Sequence, residues 1–229
     1  MTNVIPTGNI LAIESAVGGG SVALIRGQEE STLTREGLDC SRAEKLLSII
    51  SGLLNEAAVQ LGDLDLIAVS TGPGSYSGIR IGMSTALGLA NALDLQCAGV
   101  SVLDALAYEA DISSGCFIVA IPVGKNDVAW QVFSSVGQGE HRPAAPSQLW
   151  SSQSFIDQLK EMPNITLFAH TDLLPRIGER IPGTTPWVDA GASLAESVGR
   201  FAARQDVSDR SLHPIYLRNK DAAVRSHGF

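Results

Sequence analysis

The residues best suited to chemistry lie in a glycine-rich segment, residues 71–82 (TGPGSYSGIRIG), between a predicted strand and a predicted helix. Glycine permits close approach of a backbone, and the first amide groups of a helix attract anions. The segment therefore offers contacts to a nucleotide or another anion. The candidates are the acid Glu14, at the end of an earlier predicted strand, and Gly72, Gly74, Ser75, Tyr76, Gly78 and Arg80.

Two catalytic motifs with similar glycine patterns are absent from this segment. A Walker A loop requires G-x-x-x-x-G-K-[ST], but counting from Gly72 places Ser77 at the second glycine and no lysine follows. A nucleophile elbow requires G-x-S-x-G, but Gly74 directly precedes Ser75. A tight turn, with Ser75 or Ser77 capping the next helix, is the competing interpretation.

The helix after the turn carries small residues on two faces, which favours packing over ligand binding. Gly82, Ala86 and Ala90 recur every four residues, and Ser84, Gly88 and Ala92 do the same. Small side chains let a helix approach a sheet or another helix closely.

Composition limits the classes of protein to which the chain can belong. Its 229 residues are 45% hydrophobic and 17% charged, which excludes wholesale disorder. The net charge of −8 argues against a broad surface that tracks nucleic-acid phosphates, but service to RNA through a partner stays open. Three scattered cysteines, each interpreted as a core residue, fit a reducing compartment. With no signal peptide and no apolar run near the roughly 20 residues of a membrane span, we expect a cytoplasmic protein with no membrane partner.

The order of predicted elements indicates an α/β fold with two similar lobes. Strands at residues 10–14 and 22–25 flank the glycine cluster 18–20 and are predicted to form a hairpin. A third strand at 31–35 precedes a helix that begins at Ser41, with Glu44 completing a capping box. A strand in the apolar run 64–69, the glycine-rich segment and a helix at 79–93 follow, and the second half repeats this order. We expect a first lobe over 1–108, with 211–229 packing back on it, and a degenerate second lobe over 109–210 that includes a helix at 192–203.

The helix predicted for residues 41–61 has an apolar stripe that is wider than one buried face. Leu46, Ile50 and Leu53 follow the helical period, and Ile49 and Ala58 widen the stripe. Such a helix is either covered on two sides within the chain or covers a partner.

Residues 72–82 resemble the signature G-P-G-S-[FY]-[ST]-G-[LI]-R-[IV]-G of the TsaB (YeaZ) family, which is homologous to the TsaD/glycoprotease family. ILAIES at 10–15 is similar to that family's opening strand, and VSVLDAL at 100–106 and PIYLR at 214–218 resemble two further family motifs. The match covers residues 10–106 well and the second lobe thinly.

The resemblance implies the two-lobed actin-like ATPase (ASKHA, ribonuclease H-like) fold. It also implies a non-catalytic subunit that activates threonylcarbamoyl transfer to adenosine 37 of tRNA by pairing with a TsaD-like catalytic subunit. The resemblance further implies that a TsaE-like ATPase joins that complex and that ATP or ADP acts at the level of the complex. It also implies that this chain contacts tRNA only through the complex. The paired helices correspond to 41–61 and 79–93, so the candidate interface residues are Leu46, Ile50, Leu53, Gly82, Ala86, Leu89 and Ala90. A homodimer also stays open.

Three departures from the family pattern bear on chemistry. Glu14 stands where the pattern has Asp, residues 40–42 read Cys-Ser-Arg where it has His-Ser-Glu, and Pro122-Val123-Gly124 replaces Asp-Ala-Arg. Losing the second acid weakens the alternative function, an independent ATP-binding kinase or hydrolase of the actin-like fold. No two histidines are four residues apart, so neither a metal site nor proteolysis is expected. The segment is interpreted mainly as the start of a partner-binding helix, with ligand contact secondary.

Overall fold

The computed structural model describes residues 8–27, 31–36, 43–137, 139–191, 193–204 and 212–218, and within 31–36 only the side chain of Thr34. The predicted cap Ser41, with its neighbours Cys40 and Arg42, lies outside these ranges. Contacts between residues divide the chain into two compact units. The first comprises Met1–Ala105 with Ser193–Ile215, and the second comprises Leu106–Ala192 with Tyr216–Phe229.

The strands form one sheet in each unit. Those of the first unit are β1 (Asn9–Glu14), β2 (Ser21–Arg26), β3 (Ser31–Glu36), β4 (Leu64–Gly72) and β5 (Gln96–Ser101). Those of the second are β6 (Cys116–Val123), β7 (Asp127–Gly137), β8 (Glu140–Pro143), β9 (Gln148–Ser151), β10 (Thr166–Ala169) and β11 (Trp187–Asp189). The helices are α1 (Ala43–Glu56), α2 (Tyr76–Leu93), α3 (Val102–Glu109), α4 (Ser152–Lys160), α5 (Leu174–Ile177) and α6 (Leu194–Ala202).

The two sheets share one strand order and one pattern of strand directions. The first runs β3-β2-β1-β4-β5, and the second runs β8-β7-β6-β10-β11 with β9 added beside β7. In each sheet the first three strands in sequence pair antiparallel, and the last two join in parallel; the additional β9 pairs antiparallel with β7. The repetition predicted from element order is therefore present in the sheets, and the fold is mixed α/β.

Local sequence explains where the first elements turn and end. Gly18, Gly19 and Gly20 all have positive φ, between 58° and 89°, and so form the turn that the glycine cluster predicts between β1 and β2. Helix α1 stops at Glu56, earlier than the predicted Leu61. Ala58 adopts left-handed φ, and the Val59 N–H donates to the Leu54 carbonyl, which is the geometry that closes a helix.

Helix α6 belongs to the first unit, so the prediction that assigned it to the second lobe is wrong. Its small apolar residues pack on alanines of the sheet face, including Ala12, Ala23 and Ala68. A methyl group built at Gly199 would meet the Ala12 Cβ at 2.9 Å and would overlap the Ile25 Cδ1. Small residues on both surfaces thus allow the helix to lie close to the strands.

The second unit has its own core, built around aromatic residues. Trp130 lies edge-on to Trp150, with centroids 5.1 Å apart, and packs against Phe155 at 5.7 Å. Strand β9, helix α5 and strand β11 were not predicted from the sequence; each spans at most four residues, too short for a periodic pattern. Cys97 is buried as expected, but Cys116 is exposed at the first position of β6. None of the helices in the described ranges is long and apolar enough to cross a membrane.

Candidate functional site

The glycine-rich segment packs against the turn that follows β1. A methyl group built at Gly74 would lie 2.7 Å from the Ala16 Cβ and 2.8 Å from the Ala16 carbonyl oxygen. Methyl groups at Gly78 and Gly82 would overlap the carbonyl oxygen and the Oγ of Ser15, respectively. The space that a side chain would need at these three glycines is therefore filled by Ser15 and Ala16.

Three hydrogen bonds fix this contact and the start of α2. The Ser75 N–H donates to the Ala16 carbonyl over 2.8 Å, and the Ser15 hydroxyl donates to the Gly78 carbonyl over 2.7 Å. The Ser75 hydroxyl accepts from the Gly78 N–H at 3.4 Å and caps the helix, as the capping interpretation predicts. Gly74 and Gly78 therefore act in packing, and anion binding by this segment stays a prediction.

Glu14 is the buried acid behind the same turn, with 1% of its surface exposed. Its Oε1 accepts hydrogen bonds from the N–H groups of Ala16 (2.6 Å) and Val17 (3.1 Å) and from the Ser70 hydroxyl (3.4 Å). Its Oε2 has no hydrogen-bond partner among the described residues. Burial raises the pKa of Glu14 to about 7, although the three hydrogen bonds act in the opposite direction. The carboxyl group can therefore hold a proton near neutral pH.

Three other candidate residues lie on the outside of the turn. Ser75, Tyr76 and Arg80 are exposed, and the Arg80 guanidinium lies 4.1 Å from the centre of the Tyr76 ring. This is cation–π geometry between residues one helical turn apart. The structure thus divides the predicted anion-binding set: Glu14 and the glycines face inward, and these three side chains face outward.

Gly72 has a different neighbour, Ile215, which is distant in sequence. The Ile215 N–H donates to the Thr71 carbonyl over 2.7 Å. Gly72 has a φ of 99°, and a methyl group there would lie 2.9 Å from the Ile215 carbonyl oxygen. This glycine is required where residues close to the C-terminus cross the end of β4. Gly72 thus has a packing role, and its part in anion binding stays a prediction.

The predicted partner interface is corrected, because most of its residues lie inside the first unit. Those that are buried are Leu46, Ile50, Leu53, Gly82, Ala86 and Ala90; Leu89 is half-buried. The periodic stripe marks the side that each helix turns toward its own sheet, as for any amphipathic surface helix. A partner would meet the opposite side of α1 and α2.

The exposed residues on that opposite side include two leucines, two glycines and three uncharged polar residues, and we call these seven positions the outer helix face. It is formed by Leu47, Ser51 and Gly52 of α1 and by Ser84, Leu87, Gly88 and Asn91 of α2, all of them exposed. The two helices contact each other. Leu47 and Leu87 expose 47% and 38% of their surfaces. Methyl groups built at Gly52 and Gly88 would meet no atom of the described part of the chain within 4 Å.

Pro122, which replaces an acid of the family pattern, lies in β6 opposite Val128 of β7. Within the described ranges, no group of three or more His, Cys, Asp or Glu side chains is placed to hold a metal ion.

Comparisons with known proteins agree on one family. The family model for TsaD, tRNA N6-adenosine threonylcarbamoyltransferase, matches residues 40–195. The TsaB proteins, named for tRNA threonylcarbamoyladenosine biosynthesis, are 34% identical in Haemophilus influenzae and 25% in Escherichia coli. These alignments cover 92% and 93% of this chain and 94% and 96% of the relatives. The structure of YeaZ from Pseudomonas aeruginosa superimposes with a TM-score of 0.64 at 26% identity, covering 92% of this chain and all of the other.

Proposed function

Because the chain belongs to the TsaB family of tRNA threonylcarbamoyladenosine biosynthesis proteins, we propose that it is a non-catalytic, activating subunit of a threonylcarbamoyltransferase. Its partner is a TsaD-like catalytic subunit, which it binds through the outer helix face. The actin-like form of the fold, a cytoplasmic location and a TsaE-like ATPase in the complex are parts of the same proposal.

The observation that carries this proposal is the pair of helical glycines on the outer helix face. Glycine inside a helix costs about 1 kcal/mol relative to alanine. At Gly52 and Gly88 no atom of the described residues lies where a methyl group would go, so packing among those residues does not account for either glycine. Close approach of helices from another subunit accounts for both, since small residues let two helix backbones come together.

The chemistry of the outer helix face fits a partner that resembles this chain. Leu47 and Leu87 supply exposed apolar surface, and the serines and glycines beside them carry no charge. A match to the TsaD family model over residues 40–195 means that a TsaD-like subunit shares features with the region containing both helices. Two related helix pairs can then pack face to face around a pseudo-twofold axis, as in homodimers.

Packing at the glycine-rich segment supports a non-catalytic role over the independent kinase or hydrolase. A phosphate-binding loop needs accessible backbone amides, but the Ser75 N–H is already bonded to Ala16, and Ser15 lies directly against Gly78. ATP or ADP then acts in the complex, on a subunit other than this one.

A tryptophan on the outer helix face tests the proposal. Gly88→Trp adds a large side chain to an exposed position and leaves the core intact, so the variant should fold and lose pairing with the TsaD-like subunit at least tenfold. Gly183→Trp, at an exposed glycine of the second unit that also has open space around it, is the matched control. Pairing is measured by co-purification and light scattering, and folding by circular dichroism.

Each outcome has a defined meaning. Loss of pairing in Gly88→Trp and its retention in Gly183→Trp support the interface. A folded Gly88→Trp that pairs as the unmodified chain does contradicts it. If Gly88→Trp abolishes only self-association and leaves TsaD pairing unchanged, the face is a homodimer contact and the proposed partner is wrong.

A further inference from the structure

Glu14 is connected to the start of α2 through the short turn that joins β1 to β2. Its Oε1 accepts hydrogen bonds from two backbone N–H groups of this turn, the closer being that of Ala16 at 2.6 Å. The Ala16 carbonyl accepts from the Ser75 N–H over 2.8 Å. The neighbouring Ser15 hydroxyl donates to the Gly78 carbonyl over 2.7 Å. One buried acid therefore holds the turn that holds the first residues of α2.

Close packing joins the same turn to α2. A methyl group at Gly74 would lie 2.7 Å from the Ala16 Cβ, and one at Gly82 would overlap the Ser15 hydroxyl. The turn cannot lift away from α2 without breaking both this packing and the hydrogen bonds. The position of the turn and the order at the start of α2 are therefore coupled.

The ionised form of Glu14 has no opposite charge beside it among the described residues. All three groups that donate to its Oε1 are neutral, and its Oε2 accepts from none. The facing positions on β2 and β4 are serines, Ser21 and Ser70. A buried carboxylate with an unsatisfied oxygen and no counter-charge is costly. The closed turn therefore favours the protonated carboxyl group.

The elements that contact β1 are β2, β4, α2 and α6, and their titratable side chains do not supply a counter-charge. On the strands these side chains lie beside Asn9, at the opposite end of β1: Arg26 of β2 and Asp65 of β4. On the helices they are exposed or paired with each other: Tyr76 and Arg80 of α2, and Glu196 and Arg200 of α6. Within the described part of the chain, the charge at this site is therefore set by Glu14 itself.

Opening of the turn is linked to release of the Glu14 proton. Burial raises the pKa of Glu14 to about 7 in the closed turn, and water that reaches the carboxyl group returns the pKa toward its ordinary value of 4.5. Between these pH values the closed turn holds a proton that the open turn gives up. The ratio of open to closed turn therefore rises about tenfold for each pH unit from about 4.5 to about 7, and is constant above that range.

We propose that Glu14 is a proton-controlled clamp on α2. Its neutral form keeps the turn between β1 and β2 closed on the start of α2, and loss of the proton releases both. Glu14 acts here as a positioning residue, through the backbone of the turn. The proposal goes beyond the proposed function, because it concerns a change within the chain that needs no partner. Release frees the backbone groups of Ser75 and Ala16 that are bonded to each other in the closed turn.

Hydrogen exchange of the full-length chain, measured from about pH 5 to about pH 7.5, tests the clamp. The Ser75 and Ile79 amides report release, because they donate to the Ala16 and Ser75 carbonyls. After correction for the intrinsic rate at each pH, their protection should fall by at least about tenfold in the unmodified chain. In Glu14→Gln, which has a similar shape but cannot ionise, their protection should not change with pH. The control is Asp104→Asn, at a half-buried acid whose pKa burial also raises, and it should keep the pH dependence of the unmodified chain.

Low concentrations of urea separate local release from unfolding of the whole first unit. Local opening exposes little surface, so exchange of the Ser75 and Ile79 amides should be insensitive to urea. The amides at the centre of β4 should exchange faster as urea rises. Ser15→Ala leaves the carboxyl group in place but removes one bond that closes the turn, so it should lower the protection of the Ser75 amide on the order of fivefold at every pH.

Three results would overturn the clamp, and each leaves the proposed function standing. The first is Ser75 protection that is constant with pH in the unmodified chain, changes equally in Glu14→Gln, or becomes constant in Asp104→Asn. The second is equal urea dependence at Ser75 and in β4, because the unit then unfolds as a whole. The third is unchanged Ser75 protection in Ser15→Ala. Circular dichroism checks the folding of each variant, and Ser15→Ala with the pH profile of the unmodified chain remains decisive if Glu14→Gln does not fold.

Discussion

Gly78 and Gly88 lie on the same helix, but replacing each by alanine should change stability in opposite directions. At Gly78 the added methyl group overlaps the Ser15 carbonyl oxygen, so the turn after β1 must move away from α2. That movement weakens the bond from Ser75 to Ala16 and the bond from Ser15 to Gly78. At Gly88 the methyl group enters open space.

The expected magnitudes follow from these contacts. At Gly78, overpacking costs about 2 kcal/mol and the two weakened hydrogen bonds about 1 kcal/mol each, offset by about 1 kcal/mol of helix propensity, for a net loss of about 3 kcal/mol. At Gly88 only the propensity changes, a gain of about 0.5 to 1 kcal/mol. For a chain of this size, Gly78→Ala should lower the melting temperature by about 6 to 12 °C, and Gly88→Ala should raise it by about 1 to 4 °C.

Thermal unfolding followed by circular dichroism measures both changes, at two protein concentrations so that self-association is detected. Hydrogen exchange of the β1 and α2 amides then assigns the change to the first unit, because exchange reports opening locally. A Gly78→Ala chain as stable as the unmodified one would refute the packing account of the segment. So would a Gly88→Ala chain that is destabilised when monomeric.

Two further predictions concern the core behind the segment. Glu14 is protonated in both states below its unfolded pKa of about 4.5 and ionised in both above its folded pKa of about 7. The free energy of unfolding, measured with urea, should therefore fall by up to about 3 kcal/mol relative to Glu14→Gln as the pH rises from about 4.5 to about 7. A difference between the two chains that does not change with pH would contradict the burial effect. Ala86→Trp should unfold the first unit because Ala86 is fully buried. Leu87→Arg should keep the circular dichroism spectrum of the unmodified chain and lose pairing with the TsaD-like subunit. A folded Ala86→Trp chain would contradict the assignment of the Ala86 side of α2 to the core.

Local patterns predicted much of the fold. The glycine cluster at 18–20 predicted the hairpin of β1 and β2, and the apolar run from Leu64 predicted β4. The period of α2 and its Ser75 cap were also readable in sequence. These features depend on residues close together in the chain, where spacing and backbone preference are informative.

Long-range packing was not predictable in the same way. An apolar stripe shows that a helix buries one side, but it does not show which sheet lies there, so α6 was assigned to the wrong unit. The small residues of α2 were assigned to a partner for the same reason, whereas Gly82 and Ala86 are buried inside the first unit. The contact of Ser15 with Gly78 joins residues 63 positions apart, and no local pattern records it.

The same limit applies to residues 212–218, which cross the end of β4 at Ile215. PIYLR at 214–218 was recognised as a family motif, but the sequence does not show that Ile215 bonds to Thr71. The hydrogen bond between Ile215 and Thr71 brings the Ile215 backbone against position 72, and this explains why that position requires glycine. Glycines that are required by distant backbone look the same in sequence as glycines that bind a ligand.

The central claim is that this chain supports threonylcarbamoyladenosine formation by binding a partner through the outer helix face. The most direct test depletes the protein in its own cells and quantifies threonylcarbamoyladenosine in bulk tRNA by nucleoside mass spectrometry. The level should fall on depletion, recover with the unmodified chain or Gly183→Trp, and stay low with Gly88→Trp. A normal level after depletion, or full recovery with Gly88→Trp, would contradict the claim.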